Sequence, residues 1–354
     1  MSAKTDLRSL SRSELKSLMP KLGLAAFRGE QIFDWAQKRA AASINELTNL
    51  SAADQKKLAA ACYLALPVLI KKDVAANGDT AKLLLELADG ERIETAIMFY
   101  SGKDSRDRVT CCVSTQTGCV MGCKFCATAQ YQKCRNLTAG EIVSQVQMAD
   151  KAAKELGSKG LTNLVYMGMG EPMLNLAQVK KSIELLNDER GLNIGQRKIA
   201  VSTCGLPKQI RQMADWKMQI HLAISLHAAN DELRRNLMPA AARYPLQELL
   251  AAADYYQAQT GRRVCYEYAL FKDINDRPEA ARSLGKLLDG RGALINLIPA
   301  NPLPETGFMP SDDETVKHFS RLLSLYNVEV QIRQERGRDI NAACGQLRKR
   351  TLEV

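Results

Sequence analysis

Three cysteines, Cys119, Cys123 and Cys126, stand in a C-x3-C-x2-C spacing at the end of the stretch Cys112-Val-Ser-Thr-Gln-Thr-Gly-Cys-Val-Met-Gly-Cys-Lys-Phe-Cys126. Thiolates this close in sequence converge on one centre, and the next cysteine, Cys134, lies beyond a Tyr-Gln-Lys segment. An iron–sulfur cube held here is tied at three irons and open at the fourth, and an open iron is a place for chemistry. Gly118 and Gly122 suit a loop that curls round such a cube, and Phe125 is placed to keep water off the sulfurs. The competing reading is structural zinc, whose cysteines usually arrive as two C-x2-C halves. The chain has no second half, and its only histidines are His221, His227 and His318.

The elements that must position this loop follow from periodicity. From Val109 onward short apolar or β-branched runs, at 109–114, 161–167, 198–203, 218–225, 263–270, 293–299 and 328–333, alternate with helix-length segments. That alternation predicts parallel strands with crossover helices. Six or seven such units predict an α/β fold, a partial or near-complete TIM-like (βα) barrel, with its chemistry at the C-terminal ends of the strands. Thr138-Ala-Gly-Glu141 reads as a capping box opening the first crossover helix, with Ile142, Val143 and Val146 on one side. The strand ends carry small polar groups: Met167-Gly-Met-Gly-Glu-Pro172, Ser202-Thr-Cys-Gly205, Ser225-Leu-His227 and Pro299-Ala-Asn301. Glu171 can accept from an ammonium group; the Ser and Asn side chains suit ribose hydroxyls and adenine edges, although helix caps use the same residues. Past the last strand, Cys344 sits between Ala343 and Gly345, with Arg333, Arg336 and Arg338 close in sequence. A lone Ala-Cys-Gly is most often a packed small residue, whereas neighbouring cations favour a reactive thiolate.

Residues 1–70 read as a helical domain, with helix starts at Ser11-Arg-Ser-Glu14 and Ser51-Ala-Ala-Asp54. Its cations Arg28, Lys38, Arg39, Lys56 and Lys57 suit RNA phosphates, or simply solvent. Residues 71–108 read as a β-hairpin connector turning at Asp89-Gly90. Period two puts Arg92, Glu94, Ala96 and Met98 on one face, where a lone Glu is ordinarily solvated. Residues 109–354 form the barrel and a C-terminal cysteine loop. A net charge of +10 suits a polyanionic partner. Charges throughout the first twenty residues exclude a signal-peptide core, and Pro67 breaks the apolar run Tyr63–Ile70, so a cytoplasmic chain without a membrane anchor is expected. In a reducing compartment its ten cysteines are ligands, redox groups or buried residues rather than a disulfide scaffold.

The three-cysteine loop with an aromatic before its last cysteine resembles the signature of the radical S-adenosylmethionine (SAM) superfamily. Together with Met-Gly-Met-Gly-Glu-Pro, Ser-Leu-His, Ile-Pro-Ala-Asn-Pro, Phe27-Arg-Gly-Glu-Gln-Ile-Phe33 and Asp-Ile-Asn-Ala-Ala-Cys-Gly-Gln-Leu347, it resembles the RlmN/Cfr family of RNA adenine methyltransferases. The resemblance covers nearly the whole chain. It implies a barrel of the radical SAM type, a 4Fe-4S cluster on Cys119, Cys123 and Cys126, and two SAM molecules per turnover. SAM would be held by Gly170, Glu171, Ser202, Ser225, Leu226, His227 and Asn301. It further implies Cys344 as methyl carrier, a covalent protein–RNA adduct at C2 of an adenosine in 23S rRNA or tRNA, and release as a disulfide with Cys112. Cys112 rather than Cys111 is chosen by its offset to Cys119, and Glu94 matches the family's acid–base position. A flavodoxin-type electron donor and a monomer complete the expectation. The rivals are the C8-methylating, antibiotic-resistance branch of the same family and a non-catalytic, zinc-stabilised RNA-binding protein.

Overall fold

The computed structural model describes residues 4–102, 105–130, 134–301, 307–334, 336–342 and 345–347. Strand β1 (Thr5–Asp6) opens a small unit that ends on β2 (Cys62–Tyr63), the two pairing in parallel. Between them, α1 (Arg12–Leu18) starts at a reciprocal capping box of Ser11 and Glu14, α2 (Arg28–Phe33) follows, and α3 (Ala52–Ala61) starts at Ser51, whose hydroxyl accepts from the Asp54 N–H. Both cap signals therefore mark true helix starts. Arg8 is wholly buried at the heart of this unit. It donates to the carbonyls of Ala36 (2.5 Å), Ala41 (2.6 Å) and Ala65 (3.2 Å) and to the Gln147 side chain, so one guanidinium ties the unit to the next helix of the chain.

The remaining strands form one ten-stranded sheet. β3 (Val68–Val74), β4 (Thr80–Glu86), β5 (Arg92–Gly102) and β6 (Ser105–Cys112) run antiparallel. β7 (Asn163–Tyr166), β8 (Ile199–Thr203), β9 (His221–Ser225), β10 (Val264–Leu270), β11 (Leu294–Pro299) and β12 (Glu329–Ile332) continue from β6 in parallel, in chain order. The crossovers carry α4 (Ala139–Glu155), α5 (Leu176–Asn187), α6 (Pro207–Ala214), α7 (Asp231–Leu237), α8 (Leu246–Thr260), α9 (Pro278–Leu288) and α10 (Asp313–Leu323). All seven expected parallel strands are present, and the sheet order runs linearly from β12 to β3, so the barrel is partial. β4 and β5 flank the expected turn, with Gly90 at φ +83°. β3 was not expected: its Val-Leu-Ile-Lys-Lys-Asp-Val is mostly exposed at the sheet's edge and carries little alternation to read. Among the described residues, no helix is long and apolar enough to cross a membrane.

Alternation decides what fills the barrel. Leu164 and Tyr166, Val201, Leu222 and Ile224, Tyr266 and Tyr268, and Ile295 and Leu297 are buried beneath the helices. The opposite parity, Met167, Ser202, Ser225, Glu267, Ala269 and Ile298, faces an internal cavity. A barrel interior is usually packed with branched apolar side chains; Ser202, Ser225, Glu267 and Ala269, short or polar at these positions, leave it hollow.

Beyond β12 the chain crosses to the other side of the opening. Arg336 donates to Asp79 (3.1 Å) and to the Phe99 carbonyl (3.0 Å) and lies over the Tyr100 ring. The Asp339 carboxylate accepts from the Ala76 N–H (2.9 Å), and Lys82 donates to the Asn341 carbonyl (3.2 Å). Residues 336–342 thus bridge the last strand to β4, β5 and the turn between β3 and β4.

Candidate active site

The loop after β6 brings Cys119, Cys123 and Cys126 onto one cavity at the C-terminal end of the parallel strands. Gly122 adopts φ +65°, the tight backbone the loop requires. The Lys124 N–H donates to the Leu237 carbonyl (3.0 Å) and the Ala127 N–H to the Gly345 carbonyl (2.8 Å), which fixes the loop between α7 and the C-terminal segment. Phe125 lies on the same cavity, edge-on to His227 (4.8 Å) and against Phe271 (5.1 Å), forming an apolar wall. Burial pushes the Cys119 thiol up to about 12 and that of Cys123 well above its ordinary value. A metal centre draws the protons off such thiols, so three soft sulfur donors facing one cavity fit an iron–sulfur centre.

Glu171 lies across the cavity and is buried. Its Oε1 accepts from the Met173 N–H (2.9 Å) and its Oε2 from the Cys204 N–H (2.8 Å), while its own N–H donates to Gln116 (2.8 Å). Burial raises its pKa, and the hydrogen bonds from Cys204, Met173 and Thr203 oppose that rise. A cationic ligand group is the natural complement of such a carboxylate. Gly170, at φ +101°, has no alternative residue, because a Cβ there would stand 2.6 Å from Gln116 Cβ.

His227 holds a left-handed backbone, φ +54°. Its Nδ1 accepts from the Ala269 N–H (2.9 Å), which leaves Nε2 as the N–H donor. Burial, aided by the nearby Arg234 charge, pushes its pKa down to about 3, so the ring is neutral. Ser202, Ser225 and Asn301 line the same cavity; Leu226 lies between two lining residues with its side chain in the core.

A second cavity adjoins the first and shares Cys126, Asn301, Arg333 and Gly345 with it. Cys112 lines it, level with Ala96 of β5, whereas Cys111 has the opposite parity and is wholly buried. Cys344 lies outside the described residues; its neighbour Gly345 is on both cavities. Glu94 shares the face of Ala96 and Met98, but the expectation of a solvated side chain is corrected. It is 1% exposed and paired with the equally buried Lys82, a partner that nothing in Ala81-Lys-Leu-Leu-Leu-Glu-Leu singles out. Ser114 donates to the Glu94 carbonyl (2.7 Å), fixing that backbone against the start of the cluster loop. Sequence reasoning also missed Gln116 and Arg234, whose roles depend on burial.

On the small N-terminal unit, part of the expected basic surface is engaged within the chain. Arg28 bonds Gln31 (2.8 Å) and the Asn49 carbonyl (2.9 Å), Arg39 stacks over Trp35, and Lys57 donates to the Gly23 carbonyl (3.2 Å). Lys38 and Lys56 are exposed.

Comparison with known proteins places these features in context. Residues 113–284 match the radical SAM superfamily, and residues 5–64 match the ribosomal RNA large subunit methyltransferase N-terminal domain. The chain is 47% identical over 336 residues to the probable dual-specificity RNA methyltransferase RlmN of Clostridium perfringens strain 13, covering 95% of this chain and 94% of that one. It is 44% identical to the protein of the same name from Moorella thermoacetica, over the full length of both. The crystal structure of a radical SAM methyltransferase from Sphaerobacter thermophilus superposes with a TM-score of 0.92 at 41% identity, over 98% of this chain and 100% of that one.

Proposed function

Given that this chain belongs to the RlmN family of radical SAM RNA methyltransferases, we propose that it methylates C2 of an adenosine in 23S rRNA and in tRNA, with Cys344 as the methyl carrier. Family membership sets aside the non-catalytic zinc reading. The observation that carries the proposal is the pair of adjoining cavities. One holds Cys119, Cys123, Cys126 and Glu171, the other holds Cys112, and Gly345, next to Cys344, reaches both.

In this reading Cys119, Cys123 and Cys126 hold a 4Fe-4S cluster, and Gly170, Glu171, Ser202, Ser225, Leu226, His227 and Asn301 hold SAM. When bound, these groups supply one-electron chemistry at carbon, which C2 of adenine requires because it is electron-poor and its hydrogen is not acidic. Glu171 would receive the ammonium group of SAM, and the neutral His227 would offer Nε2–H as a donor. Phe125 and Phe271 keep water from the reacting groups. Cys344 carries the one-carbon unit to the base, two SAM molecules being used per turnover, and the chain is then covalently joined to RNA. Glu94 serves as the acid–base group for the proton lost from C2. The Cys112 thiolate attacks the Cys344 sulfur. The bond from that sulfur to the one-carbon unit breaks with its electron pair passing to the carbon, which takes up the proton given up by Cys112 and becomes the methyl group. The RNA departs, and the Cys112–Cys344 disulfide is left. The N-terminal unit contacts RNA phosphates, the enzyme acts as a cytoplasmic monomer, and a flavodoxin-type protein supplies electrons; family resemblance supports these last points.

Incubating iron-loaded protein with SAM and 23S rRNA fragments, then digesting the RNA to nucleosides, tests the reading. 2-Methyladenosine is the expected product. 8-Methyladenosine instead would assign the chain to the C8 branch.

A further inference from the structure

Arg234, in α7, is a wholly buried guanidinium with no carboxylate bonded to it among the described residues. It donates to the carbonyls of Cys204 (2.5 Å) and Ala241 (3.1 Å), and its buried Nε has no acceptor. Asp231, one turn earlier on the exposed start of the helix, attracts it, but that carboxylate accepts from the Leu246 N–H. A buried charge paired only with neutral dipoles is costly, so the fold carries an electrostatic debt at this point.

The cavity next door can discharge it. Cys204, whose carbonyl Arg234 holds, lines the cavity together with Cys119 and Cys123. The cluster loop is itself bonded to α7 through Lys124 and Leu237. Through the Cys204 carbonyl the Arg234 guanidinium stands directly behind the wall of the cavity that Cys119 and Cys123 line. It does not line the cavity, so it is not a ligand; it is a fixed positive charge one layer behind the ligands. Three thiolates round an iron–sulfur centre would place negative charge in the cavity beside this guanidinium. Resting on the reading that Cys119, Cys123 and Cys126 hold the cluster, we infer that Arg234 is the built-in counter-charge of that centre. As a positioning residue it stabilises the more negative, reduced state and so raises the reduction potential, one of the means by which a protein tunes such clusters.

The test compares wild-type full-length protein with Arg234→Lys, which keeps the charge, and Arg234→Gln, which keeps a donor without the charge. After anaerobic reconstitution, the midpoint potential is read by EPR-monitored potentiometry. Arg234→Lys is expected to hold the wild-type potential and Arg234→Gln to move it to more negative values with iron content retained. Equal potentials in all three proteins overturn the inference. Thermal unfolding of the metal-free proteins decides the matter if Arg234→Gln does not load. Relieved of a lone buried charge, it should melt no lower than the wild type; an Arg234→Gln chain that cannot fold shows Arg234 to be a structural tie and overturns the inference. Iron content of Cys123→Ala separates the underlying reading: a variant that keeps its full iron refutes the cysteine assignment itself, whatever the potentials show.

Discussion

Lys82 Nζ lies 3.0 Å from Glu94 Oε1 across neighbouring strands β4 and β5, with the two side chains 2% and 1% exposed. Buried pairs contribute little net stability, because desolvating both ions offsets their attraction, yet removing one partner leaves a stranded charge. The pair instead gives position. Lys82 also holds the Asn341 carbonyl, three residues before Cys344, so one ammonium links the proposed acid–base residue to the proposed carrier segment. Lys82→Met is expected to cost about 3–5 kcal/mol in denaturant unfolding, and Lys82→Met/Glu94→Leu to recover most of it. Losses in Lys82→Met and Glu94→Leu that simply add in the double variant would show that the pair is not coupled. Glu94→Gln should keep its iron and lose methyl transfer to RNA.

The cluster assignment is tested by substituting each cysteine. Cys119→Ala, Cys123→Ala and Cys126→Ala should each lose bound iron and reductive SAM cleavage, since three thiolates are the fewest that hold a cube with one open iron. Cys204→Ala, a cavity residue outside the motif, should retain iron by elemental analysis.

The two remaining proposed catalytic cysteines should fail differently. Cys344→Ala should give neither methylated RNA nor adduct. Cys112→Ala should accumulate a covalent protein–RNA species, seen as a nuclease-sensitive band on a denaturing gel. Cys111→Ala should turn over, since Cys111 points away from the cavity that Cys112 lines. Normal turnover by Cys112→Ala would exclude it as the resolving thiol.

The strands were legible because each side of the sheet meets a different environment: helices against Tyr166, Ile224 and Leu297, the cavity against Ser202, Ser225 and Glu267. The convergence of Cys119, Cys123 and Cys126 on one cavity was legible because the three are close in sequence. Lys82 and Arg234 were not, because a cation in a strand or helix pattern looks the same whether it meets water or a buried partner. Position relative to the cavity separates Cys111 from Cys112; in sequence only an offset did so.

Stability should depend on pH through His227. Its pKa in the fold is about 3 against an ordinary 6.5, so in this window the unfolded chain binds a proton that the folded chain refuses. Stability is therefore lost as pH falls below about 6.5, with a limiting slope of about 1.4 kcal/mol per pH unit from this group. Glu171 and Glu267, whose pKa values burial raises, act in the opposite sense, losing stability as pH rises through the carboxyl range. The difference in unfolding free energy between wild type and His227→Gln, followed from pH 7 to 5, isolates the histidine; parallel curves would show that it titrates normally.

RNA binding should weaken steeply with salt if phosphates dominate it, with a log–log slope on the order of 0.7–0.9 per neutralised phosphate, the values for single strands and for B-form duplex. Lys38→Ala and Lys56→Ala, both exposed, should lower that slope, whereas Lys57→Ala, whose amine is tied to the Gly23 carbonyl, should lower it less. An affinity flat between low and moderate salt would contradict the phosphate reading.

The ties that hold residues 336–342 to strand β4 and the turn before it span very long stretches of chain: 259 positions between Lys82 and Asn341, 263 between Ala76 and Asp339. On a ribosome, the β4 side of this clasp emerges 259 to 263 residues before its partner, and the open rim of the barrel waits for that partner to be made. Closing so long a loop adds little entropy cost beyond that of a shorter one, since the cost grows only with the logarithm of length, but such distant contacts form late. Each tie is also a single hydrogen bond or ion pair rather than a strand ladder. The clasp therefore belongs to the least cooperative part of the molecule and can release and re-form while the parallel strands stay paired.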